Sequence, residues 1–104
     1  MSYKIDVPAG KTYVVSVIST VLLRTDKFVA FNYLYQRIYE DEVQRSWTLY
    51  QSMIAQNYLS GSTAIVYATT ITQSTNFSVR VNHYYDRNND QALIGQMIVQ
   101  WWEV

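Results

Sequence analysis

From Tyr3 to Val104 the chain runs as about seven short apolar segments, cut apart by clusters of Asp, Asn, Gly and Ser and almost free of charge inside. Segments of this length that alternate in period two bury one face against a second layer, and turn signals at short, fairly even intervals mark a sandwich or barrel. The expected fold is an all-β, antiparallel β-sandwich of about seven strands, a single domain over residues 1–104.

The clearest alternation lies in 12–23. Tyr13, Val15, Val17, Val21 and Leu23 share one side, and Thr12, Ser16 and Thr20 share the other with Val14, Ile18 and Leu22. This is a strand with one greasy and one mixed face. Before it, Pro8-Ala9-Gly10-Lys11 reads as a turn, because proline presets φ and glycine accepts a positive φ. The segment 28–39 sets Phe31, Tyr33, Tyr35 and Tyr39 against Phe28, Ala30, Leu34 and Ile38, so both of its faces need cover. The plain reading of its tyrosine stripe is the core face of a central strand. The alternative is a surface of phenol donors. Further on, Ile65, Tyr67 and Ile71 share one parity, Phe77, Val79 and Val81 point inward against Ser78, Arg80 and Asn82, and Leu93, Met97, Val99 and Trp101 form a last core face.

Segment 43–58 is ambiguous. Val43, Trp47, Leu49, Met53 and Ala55 alternate with polar residues as in a half-buried strand, yet Val43, Trp47, Tyr50 and Ile54 also fall at helical spacing. Asp41 would then be the N-cap and Gly61 would lie beyond the far end. An α+β fold with one helix near 42–58 is therefore the alternative. The strand reading is preferred because the polar positions are Gln, Ser, Thr and Asn, not the Glu and Lys that cover exposed helices.

Composition removes several chemistries. The chain has no cysteine, which excludes disulfides, thiolate zinc sites and a cysteine nucleophile. Its formal net charge is zero, so it lacks the basic field of a nucleic-acid binder, and neutrality favours self-association. No run reaches the ~18–20 apolar residues of a membrane span. The opening Met1-Ser2-Tyr3-Lys4-Ile5-Asp6 has neither the basic nor the long apolar region of a secretory signal, so cytoplasmic synthesis without a signal peptide is expected, with the final location open.

Candidate catalytic residues are sparse. His83 is the one histidine, reads as inward-facing near a strand end, and fits a satisfied, half-buried imidazole better than a catalytic or metal role. The serines lack a Gly-x-Ser-x-Gly elbow, and Gly10, Gly61 and Gly95 stand apart, so no phosphate loop exists. Glu40, Asp41 and Glu42 are sequence neighbours on a charged turn, whereas glycosidic carboxylates come from separate elements flanking a cleft. No enzyme is expected.

The cluster Asp86, Arg87, Asn88, Asn89, Asp90 gathers two carboxylates and two amides, hard oxygens of the kind that bind calcium or sugar hydroxyls, although Asp and Asn are also ordinary turn residues. An Asp/Asn-rich loop before a terminal strand ending near a tryptophan, with an early strand after a Pro-Ala turn, resembles the small calcium-dependent bacterial lectins that bind fucose or mannose. That family's loop is longer and more acidic and its chain ends in a glycine, whereas this one ends Trp101-Trp102-Glu103-Val104, so the calcium ligands are not carried over.

Trp101 and Trp102 are adjacent, so in a strand they face opposite ways, and with Trp101 inside Trp102 is outside with Gln96 and Gln100. Tyr84 likewise shares the outward parity of Arg80 and Asn82. Two functions follow as expectations. One is a lectin-like module that reads neutral carbohydrate through Tyr84, Asp86, Asn88, Asn89, Asp90 and Trp102, with calcium as the candidate cofactor at 86–90. The other is a self-assembling structural or interaction subunit, such as a ring, a shell, a phage-like part or a toxin component, with the same aromatics buried between copies. A homo-oligomer is expected in both, with glycan or further copies of the chain as partner.

Overall fold

The computed structural model describes residues 1–25, 32–52, 59–85 and 91–104, and at 23–25, 32–34, 50–52, 59–62, 83–85 and 91–94 the backbone alone. The strands are β1 (Ser2–Ile5), β2 (Tyr13–Thr25), β3 (Asn32–Glu40), β4 (Val43–Ser52), β5 (Leu59–Ile71), β6 (Thr75–Tyr85) and β7 (Gln91–Glu103). They form two sheets, one of four strands in the order β1-β6-β3-β4 and one of three in the order β5-β2-β7. Every pairing is antiparallel. The architecture is the β-sandwich, and no helix occurs among the described residues. The body is elongated, 55 × 19 × 16 Å, because three of the strands run for 13 residues along its length.

The connections follow from local chemistry. Pro8 to Lys11 closes as expected, Lys11 N–H donating to Pro8 O at 3.1 Å with Gly10 at φ 80°, the positive φ that a type II turn places at its third residue. Asp41 and Glu42, at φ 45° and 69°, form the two-residue hairpin between the paired residues Glu40 and Val43. Two consecutive positive φ values match the twist of the flanking strands. Asp41 is further tied to β6, its N–H donating to Asn76 O at 2.8 Å and its Oδ1 accepting from Asn76 N–H at 2.9 Å. The helix alternative for 42–58 therefore fails at its start: Asp41 is a hairpin residue, and 43–52 is strand, while 53–58 lies outside the described residues.

The core fills the slot between the sheets. Val15 and Val17 of β2, Ile38 of β3, Ile65 and Ile71 of β5, Phe77 and Val79 of β6, and Ile5 of β1 are all buried, with Tyr67, Val81, Met97 and Val99 packed around them. The parity read from β2, β5 and β6 is the parity observed. Ser78 is an addition: it lies on the outer parity of β6 yet is buried, with no hydrogen-bond partner for its hydroxyl.

Two parities are the reverse of the plain reading. In β3 the residues turned toward the other sheet are Gln36 and Ile38, both fully buried, while Tyr35 and Tyr39 occupy the outer face. Gln36 lives there because its Nε2 donates to Ser19 O at 2.6 Å and Ser19 Oγ at 2.7 Å across the sandwich. In β4 the pairing of Ser46 with Ile38 and Thr48 with Gln36 sends Trp47 and Leu49 outward. β4 is an edge strand, and its inner side meets only the margin of β5, which small hydroxylated residues suffice to cover.

Candidate interaction surface

Cross-strand partners share a face, so the register of the β5-β2-β7 sheet defines its outer surface row by row. Thr70, Val14 and Trp102 form one row, and Ala68, Ser16 and Gln100 the next. Val66, Ile18 and Ile98 form the third, Ala64, Thr20 and Gln96 the fourth, and Leu22 follows. No charged side chain occurs in these rows. Four of the apolar members are well exposed, Val66 at 58%, Trp102 at 54%, Leu22 at 44% and Ile98 at 42%, and Val14 and Ile18 on the central strand are half-buried. Scattered single hydrophobes on a surface need no explanation, but a contiguous uncharged sheet face does.

The β7 edge continues this surface into the gap between the sheets. Tyr3 of β1 meets Trp101 of β7 across the gap, ring centroids 5.3 Å apart. Beside them Met1, Ser2, Met97 and Val99 complete a groove of about 510 Å³. Gly95 makes room for the Met1 side chain, whose terminal methyl lies 3.4 Å from where a Cβ would sit. A second depression, about 520 Å³, is lined by Val99, Gln100, Trp101 and Trp102.

The opposite margin is closed. Tyr67 Oη of β5 donates to Glu40 Oε1 at 2.6 Å, the same carboxylate holds Arg45 Nε at 3.3 Å, and Ser46 Oγ donates to Val66 O. Burial first, and then the bond to Glu40, push the Tyr67 phenol above its ordinary value.

The outer face of the four-stranded sheet differs in kind. Arg37 pairs directly with Arg80 on β6 and with Trp47 on β4, and Tyr35 with Leu49 and Asn82. Two like charges directly opposite are unfavourable, and here each is compensated. Arg37 lies over the Tyr35 ring at 4.7 Å and donates to Asn82 Oδ1 at 2.8 Å, while Arg80 lies over the Tyr39 ring at 4.0 Å and is ion-paired with Glu42.

Of the site residues expected from sequence, Trp102 is exposed on the uncharged face as its adjacency to Trp101 requires. Trp101 itself is 40% exposed, capping the slot against Tyr3 instead of entering the core. Tyr84 pairs with Tyr33 near the end of β6, its side chain undescribed, and His83 pairs with Leu34, also undescribed in its side chain. Asp86, Asn88, Asn89 and Asp90 lie outside the described residues, so the candidate calcium and sugar ligands among them do too. Trp102 is near the end of β7 and Gln91 is at its start, roughly 36 Å apart at ~3.3 Å per residue. The structure therefore does not bring Trp102 beside Tyr84 or the start of β7. The residues that sequence reasoning missed are Val66, Ile18 and Ile98, whose signal is visible only when three strands are laid side by side.

Among the described residues no group of three or more His, Asp or Glu is placed to hold a metal, and no helix is long and apolar enough to cross a membrane. Comparison with known proteins finds no matching family model, curated protein or solved structure.

Proposed function

We propose that the chain is a non-catalytic, self-assembling subunit that buries the outer face of its β5-β2-β7 sheet against further copies of itself. The observation that carries this reading is the run of exposed rows from Trp102 to Leu22 without one charged side chain. At ~25 cal/mol per Å² of apolar surface removed from water, a face of this kind favours association strongly. Zero net charge adds no opposing repulsion.

The test is solution mass by light scattering on the purified chain. A multiple of the 12.2 kDa protomer is expected, lowered by Ile18→Glu, with Val66→Glu at the more exposed neighbouring position as the variant that leaves the interior untouched. A protomer mass at every concentration overturns the proposal.

A second reading, recognition of neutral carbohydrate, draws support from the exposed Trp102 ring beside Gln100 on a surface without charge. Under it, Trp102→Ala abolishes stabilisation by one member of a panel of simple sugars while the solution mass stays unchanged. Calcium dependence of that stabilisation assigns the 86–90 segment a part, and indifference to chelator denies it one.

A further inference from the structure

We propose that β7 is a pairing edge for a second copy: two β7 strands run antiparallel about a two-fold axis at Met97 and join two three-stranded sheets into one continuous sheet. This rests on the self-assembly reading above and names its geometry.

The four edge strands are not equally defended. β1 is four residues long, carries Lys4 and ends before Asp6 and Pro8. β4 carries Arg45 and a register shift opposite Ile38 and Tyr39. β5 is flanked by β4, whose Ser46 hydroxyl reaches the Val66 carbonyl. Charges, short length, irregularity and cover are the devices that keep an edge from pairing. β7 has the fewest of them: Met1 and Tyr3 touch it at Gly95 and Trp101, but no strand pairs with its outer edge. It runs 13 residues in unbroken register with β2, has no proline, and its single charge, Glu103, is held by Lys11 at 2.9 Å. A long, regular edge whose one charge is already paired is a template for another strand.

The sequence of β7 is complementary to itself about Met97. Full overlap sets Glu103 opposite the partner's Gln91, so no like charges meet. It sets Trp102 opposite Ala92 and Val99 opposite Gly95, a large residue against a small one each time. Even positions fall opposite even ones, so the outer face of one copy runs on into that of the other, uncharged in each from the Trp102 row to Leu22 and followed by the row of Arg24, Ser60 and Ala92. An isologous contact of this kind closes as a dimer, which then stacks through its doubled face.

The experiment uses the full chain. In hydrogen exchange followed by NMR, the alternate β7 amides that do not bond to β2 are expected to lose their fast exchange as concentration fills the dimer, while the outward amides of β5 stay fast. Because the chain has no cysteine, the double variant Gln96→Cys/Ile98→Cys is expected to form a disulfide-linked dimer under mild oxidation, since those two positions face each other across an axis at Met97. An oligomer whose outward β7 amides remain fast and whose double variant does not crosslink overturns edge pairing and leaves the self-assembly reading standing. A protomer at every concentration overturns both. Crosslinking by Gln96→Cys alone, with none gained from the pair, overturns the axis at Met97.

Discussion

The two outer faces of the sandwich both expose a tryptophan and are otherwise opposites. On the four-stranded sheet, Trp47 is 59% exposed yet sits beside Arg37, and each arginine of the pair is stacked on a tyrosine and tied to Asn82 or Glu42. That face has its polar partners within itself and meets water on good terms. On the three-stranded sheet the row of Val66, Ile18 and Ile98 and the Trp102 ring have no charged cross-strand partner among the described residues. The lesson is that exposed aromatics do not by themselves identify an interface. What separates the faces is whether the groups around the rings are already satisfied.

The sharpest way to break this contrast is to exchange one residue on each face. Ile18→Glu is expected to abolish stacking through this face and leave nothing larger than the β7-paired dimer, whereas Arg37→Glu on the other face leaves the mass unchanged; equal effects on sedimentation would end the distinction. Next in size is the interior that both faces share. Phe77→Ala, in a fully buried site, is expected to cost about 3–5 kcal/mol in denaturant unfolding, which separates loss of fold from loss of contact. Arg37→Ala is expected to cost only about 0.5–1 kcal/mol, the worth of an exposed cation–π contact, read as a small shift of the urea midpoint.

The smallest effect lies at the closed margin. The Tyr67 phenol is held above its ordinary value of 10.0 in the folded chain, so its contribution to stability is complete below that pH. It is lost as pH rises through the higher folded-state value. Tyr67→Phe should therefore flatten the alkaline arm of a stability–pH curve, and an unchanged arm would detach Tyr67 from the seam.

Much of this fold is legible in the chain. Val15, Val17 and Val21 alternate with polar or mixed neighbours in a central strand covered on one face, and Phe77 and Val79 do the same, so period two reports burial directly. The reading inverts in β3 and β4 because hydrophobicity there is not a guide to side. Gln36 is buried since Ser19 answers it from the other sheet, and a tertiary hydrogen bond leaves no mark on local pattern. Trp47 is outside since β4 is an edge whose inner side needs only Ser46 and Thr48. The candidate surface was half legible: the outward Trp102 follows from its neighbour, but Val66, Ile18 and Ile98 lie far apart in sequence and become a row only through register.

The Gln36 to Ser19 link also acts as a ruler between the layers. The inner row of β2 is Val15, Val17, Ser19 and Val21, three near-identical shapes and one hydroxyl. A two-residue slide of one sheet over the other would carry Ser19 away from Gln36 and bring a valine in its place. It would set Val17 or Val21 against Gln36 and strand the amide in hydrocarbon, at about 1–3 kcal/mol. One buried polar pair thus adds a penalty to every alignment of the layers but one.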